Sequence, residues 1–119
     1  PARRNGSAQH MVNVGDIWGD PCEISRIRRE DYDFVKPRTK ADDILSCNNG
    51  PSSTTMRGHQ FPMAFLVKAS GLDKHGVDGE QPMPYTHIDI AGSGVEGCDW
   101  QHGKPSAAPV AMLAARYLR

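Results

Sequence analysis

Apolar positions along the chain come in short groups separated by polar or glycine-rich stretches. Residues 1–11 show no apolar period and read as a mobile arm, leaving 12–119 as one segment. Val12, Val14, Ile17 and Trp18 form a brief apolar patch punctuated by Gly15 and Gly19. Asp20, Pro21 and Glu23 then look like a helix start: a capping carboxylate, a proline whose missing N–H costs nothing at the first helical position, and an acid able to reach back to the cap. They predict a helix over 21–31, with Ile24 and Ile27 inward and Arg26, Arg28, Arg29 and Glu30 solvated. Ile44, Leu45 and Cys47 read as a short strand over 42–47, closed by the turn Asn48-Asn49-Gly50-Pro51. The broad apolar face of Phe61, Ala64, Phe65, Val67 and Ala69 predicts a helix over 59–70, with Gly71 as a left-handed cap and Leu72 as its contact. Residues 85–90 alternate as a strand does, Ile88 and Ile90 on one face, His87 and Asp89 on the other. A last helix follows Ser106; it is apolar on most sides and is expected to be buried.

The order helix, strand, helix, strand, helix argues for an α/β fold with right-handed crossovers. A stable sheet normally needs three or more strands with a covered face. The two strands read here therefore look like the edge of a larger sheet, and the segment looks incomplete.

Composition strengthens that impression. Only 38% of the 119 residues are hydrophobic, while 12 are Gly and 9 Pro, as in a loop-rich domain or a piece that leans on a larger one. Charge is balanced, 14 basic against 14 acidic residues, so nothing calls for nucleic acid or an anionic membrane as partner. No apolar run approaches the roughly 18 residues of a membrane-spanning helix. The polar N-terminus lacks the apolar stretch of a secretory signal, and its start at Pro1 reads as a processed or incomplete end. Cys22, Cys47 and Cys98 are an odd, widely spaced set, expected as free thiols in a reducing compartment, by default the cytoplasm.

Three local motifs invite chemical readings. His87 and Asp89 share a strand face and could ligate one ion, but no further ligand has suitable spacing. Gly92-Ser93-Gly94 follows a strand as a nucleophile elbow does, yet a long loop separates it from the next helix. Gly92, Gly94 and Gly97 match the dinucleotide fingerprint in letters, without the helix that should hold the last glycine or an acid beyond Asp99. A flexible glycine loop explains both patterns better. Cys98 has no base nearby in sequence.

The strand itself is more distinctive. Tyr85-Thr86-His87-Ile88-Asp89-Ile90-Ala91-Gly92-Ser93 resembles the aromatic-x-His-(Leu/Ile)-Asp-Ile-Ala-Gly strand of leucine aminopeptidases, and its neighbours agree. Ala41-Asp42-Asp43-Ile44 through Asn48 resembles the preceding strand of that family, and Met63-Ala64-Phe65-Leu66 its Ala-Ala-Phe-Leu helix. Trp18-Gly19-Asp20-Pro21-Cys22-Glu23-Ile24-Ser25-Arg26 and Ser70-Gly71-Leu72-Asp73-Lys74-His75-Gly76 look most like the aminopeptidase-like branch. Met63, Asn48-Asn49 and Cys98-Asp99-Trp100-Gln101-His102-Gly103 depart from the family pattern.

The resemblance implies the C-terminal portion of a mixed-sheet α/β/α sandwich, from a cytosolic, hexameric peptidase that removes N-terminal amino acids from peptides. It implies two divalent ions (zinc, manganese or magnesium), whose ligands belong to an Asn-Thr-Asp-Ala-Glu-Gly-Arg motif and a lysine- and aspartate-bearing segment absent from these residues. What maps onto this chain is a wall of the substrate pocket: Ala91 and, by position, Gly94, where family members can carry a larger apolar residue. The chain alone is then expected to be inactive and to need the remainder of the catalytic domain or a partner chain. The alternative is a non-catalytic structural or assembly component derived from the same family.

Overall fold

The computed structural model describes residues 6–47, 50–51, 54–75, 80–81, 83–90, 95–96 and 104–118. Its helices are α1 (Ser7–Trp18), α2 (Arg29–Phe34), α3 (Phe61–Ala69) and α4 (Val110–Tyr117), with 3-10 turns at Gly58–Gln60 and Leu72–Lys74. Strands β1 (Val95–Glu96) and β2 (Lys104–Pro105) pair antiparallel, Val95 opposite Pro105. The chain divides into two compact units, one of Ser25–His87 and one of Ala2–Ile24 with Ile88–Arg119.

In the second of these units α1 packs on α4. Met11 and Gly15, one helical turn apart, are the buried positions of α1, and Met112 is the fully buried side chain of α4. Burying such a side chain stabilises by about 2 kcal/mol. Gly15 permits a close backbone approach: a Cβ there would lie 2.5 Å from the Asp20 carbonyl oxygen and 3.5 Å from Met112 Cγ. The chain turns back at Gly19, and the Asp20 N–H donates to the Gly15 carbonyl at 2.9 Å, closing α1. That turn delivers the Asp20 carboxylate to α4, where Oδ2 accepts the Met112 N–H at 3.0 Å. Met112 is the third residue of α4, one of the first-turn positions whose N–H has no partner within the helix.

In the Ser25–His87 unit, α2 packs on α3. The Arg28 N–H donates to Asp31 Oδ2 at 2.7 Å, half of a capping box, so α2 starts at Arg29. Val35, Ala64 and Val67 form the apolar core, and the Phe34 and Phe61 rings meet edge to face at 5.3 Å. Pro62 sits in the first turn of α3, where proline is tolerated, and Gly71 adopts φ 74° just past its end. A side chain at Gly71 would meet the steric penalty of the left-handed region.

The expected mixed-sheet α/β/α sandwich is not what forms. Among the described residues the fold is helical, and its only strand pairing is two residues long on each side. Residues 42–47 fail as a strand because Asp42 closes a turn instead, its Oδ2 accepting Thr39 N–H at 3.2 Å and Thr39 Oγ1–H at 2.8 Å. One ladder-like bond remains there, from Leu45 N–H to the Val35 carbonyl at 2.9 Å. Residues 85–90 belong to no strand, and Ile88 and Ile90 are partly exposed. Residues 21–28 are not helical either, and α1 begins inside the stretch read as an arm. Helix α4 buries one face only: Val110 and Tyr117 are each 62% exposed. Among the described residues no helix is long and apolar enough to cross a membrane.

Candidate functional site

A concave surface lies within the Ser25–His87 unit, against α2. It is an open cleft of about 380 Å³, lined by residues of 28–34, 55–57 and Phe61. Its organising element is an ion pair. Arg57 donates through Nε to Asp31 Oδ1 at 2.8 Å and through Nη2 to Oδ2 at 2.7 Å, the fork geometry that matches a carboxylate. Nη2 also donates to the Arg26 carbonyl at 2.8 Å. Asp31 is buried and Arg57 partly exposed. The Arg57 hydrogen bonds hold the Asp31 carboxyl below its ordinary range despite burial, helped by the Arg28 N–H; in return the Arg57 guanidinium is raised.

Arg57 is the one described residue other than glycine with positive φ, 56°. A non-glycine residue there costs of order 1 kcal/mol and persists when its surroundings fix it. Here the bidentate pair fixes it. Nothing in the sequence marked Arg57, which lies in a polar loop; the spacing of Arg28 and Asp31 was the available signal, and it points to a later helix start than Asp20 does.

A serine–histidine contact lies beyond the cleft lining. Ser25 Oγ is 3.3 Å from His59 Nε2 and accepts a short hydrogen bond from the buried Gln60 amide. Either group can donate across the Ser25–His59 contact, depending on the histidine tautomer. No acid backs His59 among the described residues, so the orienting third group of a nucleophilic triad is missing there.

The residues singled out from the sequence fare differently. Ala91 and Gly94, the expected pocket wall, lie outside the described residues, as do Ser93 and Cys98. His87 Nδ1 is 3.5 Å from Tyr85 Oη, and Asp89 is exposed. Among the described residues no group of three or more His, Cys, Asp or Glu side chains could hold a metal ion. Among the described residues, then, no donor set fits the two ions implied by the resemblance. The Cys22 thiol is pushed up by burial and by Asp16 and Asp20, the reverse of an activated nucleophile.

Over 116 residues the chain is 45% identical to a Caenorhabditis elegans protein named "putative aminopeptidase", a match covering 97% of this chain and 21% of that protein. The chain thus spans well under half the length of the curated relative it matches. No family model and no solved structure matches it. The similarity supports an aminopeptidase relationship as a class.

Proposed function

We propose that the chain is a segment of a metallo-aminopeptidase of the leucine aminopeptidase family, in its aminopeptidase-like branch, which removes N-terminal amino acids from peptides. The observation that carries the reading is the 45% identity sustained over 116 residues to a protein named as an aminopeptidase. The motif spanning 85–93 adds the finer family assignment.

In this reading the segment contributes shape. Ala91 and Gly94 line the pocket for the substrate's first side chain, and glycine at 94 leaves that pocket wide. The ligands of the two divalent ions implied by the resemblance belong to the remainder of the catalytic domain or to a partner chain. The working enzyme is a cytoplasmic homo-oligomer, hexameric as in the family.

Substitution at the wall tests the assignment. In the longer protein carrying this segment, Gly94→Leu lowers kcat/KM for peptides with a bulky apolar first residue by about tenfold relative to peptides beginning with alanine. An unchanged ratio overturns the pocket-wall role. A longer protein with no peptidase activity at all favours the non-catalytic assembly component instead.

A further inference from the structure

We propose that the cleft beside the Asp31–Arg57 pair binds free amino acids with apolar side chains. The proposal does not rest on the pocket-wall reading, since it uses neither Ala91 nor Gly94.

Four features of the cleft lead to that ligand. Its apolar lining is the edge-to-face pair Phe34 and Phe61 together with Met56, which is 91% exposed and so leaves apolar surface open to a ligand. Its charged lining is mixed in sign: Arg28 and Arg57 against Glu30 and Asp31. Of these four, Asp31 and Arg57 neutralise one another through the bidentate pair. Arg28 and Glu30 feel that pair at longer range, Arg28 attracted to Asp31 and Glu30 to Arg57, but neither side chain is tied down by a hydrogen bond or ion pair among the described residues, so one cation and one anion still face the cleft. The Arg57 Nη1 edge likewise makes no hydrogen bond among them, and it is held in place by its neighbours Nε and Nη2.

A ligand complementary to this surface carries an anion, a cation and an apolar body within a small volume. A purely anionic ligand would meet Glu30, and a purely cationic one would meet Arg28. An apolar α-amino acid satisfies all three demands: carboxylate toward Arg28 and the free edge of Arg57, ammonium toward Glu30, side chain against Phe34, Phe61 and Met56. The volume of about 380 Å³ suits a ligand of that size. Because the cleft is open and its free charges are solvated, binding is weak, on the order of 1 mM.

The test is a titration of the isotopically labelled 119-residue chain, followed by its backbone amide resonances. L-phenylalanine is expected to shift amides of 28–34 and 55–61 saturably. N-acetyl-phenylalanine lacks the ammonium and phenethylamine lacks the carboxylate; each binds about threefold more weakly or worse. Arg28→Gln or Glu30→Gln leaves the Asp31–Arg57 pair intact and weakens L-phenylalanine binding by a similar factor. Absence of saturable shifts at these amides up to about 20 mM overturns the proposal. So does equal binding of the three ligands, which would make the cleft an apolar slot without charge recognition.

Discussion

The two units hold themselves together by different means. Ser25–His87 is organised around charge: one buried carboxylate caps α2 through Arg28 N–H and anchors the loop at Arg57 through a fork. The unit containing α1 and α4 is organised around proximity: Gly15 lets backbone approach backbone, Met112 fills the contact, and Asp20 caps α4 from across the chain. In both, a single aspartate joins elements distant in sequence, and in both the acid sits where a helix needs an acceptor. What differs is the second partner. Asp31 has a cation to answer its charge, whereas Asp20 accepts a backbone N–H from the fold's buried methionine position.

That difference fixes the order of mutational sensitivity. Met112→Ala opens a cavity at the one fully buried side chain of the α1–α4 contact among the described residues, and costs about 3 kcal/mol; loss of amide-exchange protection in α1 and α4 reads it. Asp31→Asn removes the charge-assisted fork and weakens the α2 cap, at about 2 kcal/mol, seen as lost protection in α2 and α3. This variant also reports on pH. The folded Asp31 carboxyl ionises below its unfolded value of about 3.9, so its stabilisation is whole above that pH and disappears as pH falls through the folded pKa. Asp33 and Asp73 are lowered in the same direction by Lys36 and Lys68. Acid unfolding of the Ser25–His87 unit is therefore expected below about pH 4, and Asp31→Asn flattens it without abolishing it. Asp20→Ala removes only the α4 cap and costs about 1 kcal/mol, detected as faster exchange of the Met112 amide with α2 and α3 unchanged.

The sequence pattern was informative where local rules met no competitor. Helix α3 combines an apolar face, Pro62 in its first turn and the left-handed Gly71, and each signal points the same way. The helix expected over 21–31 failed because its proposed cap is engaged elsewhere: Asp20 closes α1 with its N–H and caps α4 with its carboxylate. Without that cap the chain stays irregular until Asp31 caps α2, whose first residue, Arg29, lies eight positions after Pro21. The alternation of 85–90 describes side chains, but a strand also needs neighbours for its N–H and C=O groups, and no ladder forms there among the described residues. Arg57 was illegible for a similar reason: its role comes from Asp31, 26 residues away, rather than from its neighbours. The motif at 85–93 carried family information in its order of residues, which is independent of whether those residues pair as a strand.

The central functional claim is that this segment shapes a substrate pocket while the catalytic groups lie outside it. Its most direct test is to assay the purified 119-residue chain on leucine amide with Zn²⁺ or Mn²⁺ added. The account predicts no release of leucine above the metal-only control. Robust turnover by these residues alone would contradict it.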